Sequence, residues 1–197
     1  MKKKRVKRKK GFFRRNYGQV FKFFLESRWH MVFALGIFCL TFLIGFIYPY
    51  FFRYEILSFL EEMVWAIEGK SAGYIVSFLF FNNLKASFFA MILGVGLGIF
   101  PIITLIANGY LLGFVSREVS TIEGISILWR LVPHGIFELP AVILSVGIGM
   151  RIGFQMFKGK EKIKKNLIES LRFFVFVVFP LLLIAAIIEG VLIFIGG

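Results

Sequence analysis

Two ionisable side chains four residues apart, His134 and Glu138, stand in a stretch otherwise apolar enough to lie in a membrane. At that spacing they share one face of a helical turn. Glu189, near the C-terminal end, is the distant acid best placed to join them. Two facing carboxylates raise the pKa of one of them, which suits proton handling. Ionisable groups at membrane depth are costly and mark functional sites by default. Arg130 and Arg151 bracket the stretch, and Asn82 and Asn83 are further polar candidates. A catalytic zinc usually takes three protein ligands, and His134, Glu138 and Glu189 would be the whole supply. The expectation is therefore no metal and no cofactor. The same residues also suit a structural polar network. Glu138 would be neutralised by Arg130 or His134, and Glu189 would be protonated or paired with Lys85.

Enzyme chemistry is not expected. All eleven acids are Glu, which excludes aspartyl intramembrane proteases and phospho-aspartate pumps. No His-Glu-x-x-His or Gly-x-Ser-x-Gly string is present, and Ser126 and Ser145 have no placed base. His30, beside Trp29, reads as an interfacial residue. The single Cys39 lies in an apolar run, so neither an intrachain disulfide nor a thiolate cluster is available.

The elements that must position these residues are membrane helices. Of the 197 residues 58% are hydrophobic, mean hydropathy is +0.83, and several apolar runs reach the roughly 20 residues needed to cross a bilayer. The runs are continuous rather than alternating, which disfavours a barrel. The fold class expected is an all-α polytopic membrane helix bundle with about five membrane-entering segments, one broken by proline, plus amphipathic interfacial helices. Residues 1–28 form a polybasic cytoplasmic arm and juxtamembrane segment, and residues 29–197 a single transmembrane domain. The formal charge of +13 is concentrated in residues 1–28, with 12 Lys/Arg, and in residues 151–172, with seven. That asymmetry predicts a cell-membrane protein with its N-terminus cytoplasmic and its C-terminus outside. The arm is expected to bind anionic lipid rather than nucleic acid.

Trp29–Tyr48 reads as the first span. Residues 51–74, acidic and amphipathic, read as an interfacial helix on the outer face. The second span is placed at Ala86–Ala107. Asn108-Gly109 is a turn signal, and a tight cytoplasmic turn is predicted there, followed by a short returning segment to Ser120. The alternative is one long helix over 86–115 with a re-entrant hairpin over 121–140. Pro133 and Pro140 are expected to break the fourth segment. Residues 151–172 read as a surface-lying cytoplasmic helix, and Phe173–Ile195 as the last span. Small residues at four-residue spacing, Ala86, Ala90, Gly94 and Gly98, with the pairs Gly109/Gly113 and Gly149/Gly153, predict close helix packing. They also suggest a homo-oligomer.

The string Pro133-His-Gly-Ile-Phe-Glu-Leu-Pro-Ala141 resembles the stage II sporulation protein M family of integral membrane proteins. Asn82-Asn83, Asn108-Gly109-x-x-x-Gly113, Gly149-x-Arg151-x-Gly153 and Ile188-Glu189 fit the same pattern, so the resemblance covers roughly residues 30–195. In sporulating bacteria a member of that family anchors two peptidoglycan-degrading enzymes at the membrane. The resemblance thus implies a membrane anchor or scaffold for partner proteins, with peptidoglycan hydrolases as partners only in a sporulating bacterium. The competing expectation is a small transporter, or an ion- or lipid-handling protein, built on His134, Glu138 and Glu189.

Overall fold

The computed structural model describes residues 11–96, 98–126, 128, 132–155 and 160–196, with the side chains of 132–134, 160 and 196 excepted. The basic residues of the arm before Gly11, Arg130 and the side chain of His134 lie outside that description. Among the described residues there is no strand. The helices in chain order are α1 (Phe12–Ile47), α2 (Arg53–Ile67), α3 (Ala72–Ile92), α4 (Ile99–Glu123), α5 (Val132–Gln155), α6 (Lys160–Phe173) and α7 (Phe179–Gly196). Five helical stretches are long and apolar enough to cross a membrane: α1, α3 with its short 3-10 extension, α4, α5 and the joined α6–α7. The chain is a multi-pass helix bundle.

Helix α1 runs unbroken for 36 residues, about 54 Å at 1.5 Å per residue. Its buried residues are Asn16, Val20, Phe23, Ser27, Met31, Ala34, Phe38, Thr41 and Gly45. They step by three and four residues, which keeps one seam facing the bundle. The division at residues 28/29 therefore falls inside a single helix with a single buried face.

The predicted turn at Asn108-Gly109 does not form. Helix α4 passes straight through it, and the reversal occurs at Leu93–Gly98 instead. Gly98 there takes a φ of 74°, a left-handed value that glycine adopts without steric cost. Its N–H donates to the Gly94 carbonyl at 2.9 Å. Pro101 follows in the first turn of α4, where its missing N–H has no helical acceptor to lose. Asn108 is satisfied within the helix, donating from Nδ2 to the Thr104 carbonyl at 2.8 Å. Gly109 is there for packing, since a Cβ on it would land on the Thr41 hydroxyl of α1. The second span is thus α3 and the third is a full 25-residue α4. Neither the short returning segment nor the long helix over 86–115 occurs.

The prolines also act differently from expectation. Pro133 sits in the first turn of α5, and Pro140 lies inside that helix, which continues through it. A helix within a protein bundle tolerates this because its neighbours compensate the freed carbonyl. Pro180 does distort its surroundings. Residues Phe174–Val178 just before it form a π-helical turn, and the Phe179 N–H bonds back to the Phe174 carbonyl. The wider turn relieves the clash that proline makes with the preceding turn. Residues 160–173 are consequently not a separate surface helix. They lead through this turn into α7, with Asn166 and Ser170 buried.

Contacts at matched positions set the helix directions. Gly109 meets Thr41 and Phe38, and Gly113 meets Phe42 and Phe46, so α1 and α4 run parallel. Gly147 meets Met31 while Arg151 reaches Ser27, so α1 and α5 are antiparallel. Gly190 meets Val76 and Phe174 meets Phe88, so α3 and α7 are antiparallel. One end of the bundle, here the basic end, holds the start of α1, the α3–α4 turn, Arg151 and α6. The far end holds Ile47, α2 and Glu118.

Helix backbones touch where glycines meet. A Cβ on Gly94 would collide with the Gly149 carbonyl, one on Gly149 with the Ala90 carbonyl, and one on Gly113 with the Phe42 carbonyl. Gly36, exposed on α1, has nothing within 4 Å. Gly113→Ala and Gly149→Ala are each expected to lower stability by about 1–3 kcal/mol through overpacking. Gly36→Ala should be neutral or stabilising by up to about 1 kcal/mol. Unfolding midpoints of the three variants in detergent micelles check this.

Candidate functional site

Arg151 is the most heavily engaged polar residue among those described. It lies on α5 at the basic end and is 6% exposed. Its Nη1 donates to Ser27 Oγ at 2.7 Å and more weakly to the Phe23 carbonyl at 3.5 Å. Its Nη2 donates to Glu26 Oε2 at 2.9 Å and, weakly, to Asn166 Oδ1 at 3.4 Å. The Phe23 ring centroid lies 4.5 Å from the guanidinium carbon. One side chain therefore ties α1, α5 and α6 together. Ser27 relays, accepting from Arg151 while donating to the Phe23 carbonyl at 2.7 Å.

The planar fork of an arginine fits such an arrangement better than a point charge does. Glu26 stays half exposed, so the ion pair keeps one foot in solvent and its Coulomb gain is screened. The hydrogen bonds to buried Ser27 and Asn166 are what compensate the desolvated guanidinium. Arg151 Nε has no hydrogen-bond partner among the described residues. Chemically this arrangement locks helices; it presents no free reactive group.

Glu138 is buried in α5 near the far end. Along the helix it is 13 residues from Arg151, about 20 Å at 1.5 Å per residue. Glu189 is partly buried near the end of α7, at the same far end as Glu138. Arg151 therefore does not belong to the Glu138/Glu189 group. Asn82 does not join them either, because it is exposed on the outer face of α3, while Asn83 is partly buried. Among the described residues no three His, Cys, Asp or Glu side chains converge as a metal site would require.

The small residues divide as well. Ala90, Gly94 and Gly98 are buried against α5, Gly109 and Gly113 against α1, and Gly149 against α3. Gly153 is buried too, but Ala86 is exposed. Apart from Ala86, these small residues pack inside one chain.

Three partners of Arg151 were not legible from charge or motif: Glu26, Ser27 and Asn166. The seam on α1 carries the signal for Ser27, because its spacing runs through the basic juxtamembrane segment into the span. At the far end a second tie was equally hidden. Arg53 of α2 donates to both carboxylate oxygens of Glu118 on α4, Nη2 to Oε2 at 2.8 Å. The hydrogen bond and charge of Glu118 raise the Arg53 pKa. Tyr110 reinforces this end, its hydroxyl donating to the Tyr48 or Phe51 carbonyl and accepting from the Phe51 N–H at 3.1 Å.

A family model described as stage II sporulation protein M matches residues 31–192. Two uncharacterized proteins of Methanocaldococcus jannaschii are similar in sequence. One is 34% identical over 77 residues, covering 38% of this chain and 43% of that protein. The other is 30% identical over 121 residues, covering 57% of this chain and 53% of that protein. The matches thus span about half the length of these curated relatives. No solved structure matches.

Ser27→Ala removes a buried hydrogen bond to a charged donor and is expected to cost about 1.5–3 kcal/mol. Arg151→Met should cost at least as much. Arg151→Lys should recover little, since an ammonium cannot serve Ser27, Glu26 and Asn166 together. Denaturation of purified variants, combined as a Ser27/Arg151 double-mutant cycle, measures the coupling.

Proposed function

Because the chain belongs to the stage II sporulation protein M family, we propose that it is a membrane-embedded anchor that holds partner proteins, and not an enzyme. The observation that carries this reading is the Arg151 network. The most elaborate polar cluster among the described residues spends its bonding capacity on joining α1, α5 and α6. The basic end, with the start of α1 and the lysines of α6, lies in the cytoplasm by the positive-inside rule. The acidic α2, carrying Glu55, Glu61 and Glu62, lies outside. Partners are engaged within the membrane or at its outer surface.

A carrier is the second reading. It is favoured by one feature, the buried Glu138 and the partly buried Glu189 at the same end of the bundle.

Affinity isolation of the tagged protein from cross-linked native membranes, combined with flux assays on the purified protein in liposomes, separates the two. The anchor reading expects a reproducible, stoichiometric partner and no flux of protons, ions or lipids. Flux that Glu138→Gln or Glu189→Gln abolishes, with the fold intact, would establish the carrier instead. Orientation is checked in a Cys39→Ser background. A membrane-impermeant maleimide should label Glu62→Cys in intact cells and Lys162→Cys only after lysis.

A further inference from the structure

One helix face in the bundle is polar where lipid should be. On α3 the exposed residues include Tyr74, Ser77, Phe81, Asn82, Lys85, Ala86 and Phe89, and a shallow groove there is lined by Tyr74, Ser77, Phe81, Asn82 and Lys85, with Phe78. The spacing puts Ser77, Asn82 and Lys85 on neighbouring turns of one side. Among the described residues, neither Asn82 nor Lys85 makes a side-chain hydrogen bond or ion pair.

The depth of Lys85 makes this costly. The spanning stretch is Ala72–Val95, 24 residues. Lys85 therefore lies about 20 Å from its far end and about 15 Å from its basic end at 1.5 Å per residue. The four-carbon stem of a lysine covers roughly half the shorter distance. A charged group facing hydrocarbon at that depth is strongly disfavoured unless paired.

We propose that this face of α3 docks a transmembrane helix of another protein, and that this helix carries a carboxylate opposite Lys85. The inference rests on the anchor reading and names the chemistry of the partner. Charge complementarity selects the occupant. A second copy of this chain has no suitable acid to offer. Glu26 is bound to Arg151, Glu118 to Arg53 and Glu169 to Arg172, Glu138 is buried inside the bundle, Glu189 lies near the far end of α7, and the remaining glutamates lie on or beside α2, at the end of α4 or at the start of α6. An anionic lipid carries its phosphate at the interface, beyond the reach of this side chain. Asn82, one turn away, provides a donor and an acceptor for a polar contact on the incoming helix. Ala86 allows its backbone to come close, and the rings of Phe81 and Phe89 wall the site. Of the small-residue stripe, Ala86 is the member the fold leaves on the surface.

The test uses the full-length protein in liposomes, labelled at the far end, and synthetic leucine-rich spanning helices as probes. One probe carries a single central glutamate, one a glutamine and one leucine alone. Association is read by energy transfer. The glutamate helix is expected to bind at least tenfold more tightly than the leucine helix. That advantage should vanish in Lys85→Met and shrink in Asn82→Leu. A Lys85→Glu variant should prefer a lysine-bearing helix instead. Lys85 and Asn82 are exposed and unbonded, so unfolding midpoints of these variants should match the parent and exclude a folding defect. Equal binding of all three helices overturns the proposal. So does Lys85-dependent transfer between two copies of the chain, or Lys85-dependent enrichment of anionic lipid in place of the helix. If cross-linked partners are retained in native membranes by Lys85→Met, the docking face is refuted while the anchor reading stands.

Discussion

Helices in a bilayer gain nothing from hiding apolar side chains from one another, because lipid is as apolar as they are. What holds them is close contact, and here that contact is made backbone to backbone at Gly94 and Gly149. The two residues lie where the α3–α4 turn meets α5, and each occupies space that a Cβ on the other helix would need. Around this point Ala90, Met150 and Leu105 are fully buried. The same device, at Gly109 and Gly113, brings α4 against α1. Dispersion forces over such short separations, summed across many atoms, are the main cohesive term available. The directions of the helices follow from these points, and so does the placing of every polar group.

Close packing explains why polar residues can be held at the basic end. Arg151 comes two residues after Gly149, on the part of α5 that packs closely against α1. With α1 near, Ser27 and Glu26 are within reach, and Asn166 arrives from α6. A buried guanidinium is tolerable only with such company. The network in turn fixes the angle at which α1 leaves the bundle, where Phe23 and Phe24 pack on Phe173. The long helix is thus braced on its basic side.

The far end is built differently. There Arg53 pairs with Glu118, and Tyr110 bonds the backbone of residues 48–51, at exposed or half-exposed positions. Exposed pairs contribute little individually, and α2 has no buried residue. The basic end is therefore braced by a buried network, whereas α2 is lightly tethered. The polar face of α3 lies between them, a place where the bundle leaves bonding capacity unspent.

Composition and hydropathy alone determined the all-helical membrane class, the number of spanning segments and the small residues that pack them. These properties are local, since an apolar run of sufficient length and a four-residue spacing carry their meaning wherever the chain goes. The motif around Pro133–Ala141 determined the family, because it is a matter of residue identity. Only the tertiary structure decided where the chain reverses. Asn108-Gly109 is a good turn signal, but Gly109 is the one residue that fits against Thr41, and packing outweighs a local preference. The polar constellation was likewise beyond the sequence. Arg151, Glu138 and Asn82 all read as intramembrane polar groups, yet one is locked in a helix brace, one is buried at the opposite end and one faces outward. Which face of a helix a residue occupies, and what lies across from it, depends on helix rotation and crossing. Those are set by contacts between residues far apart in the chain, and no single segment records them.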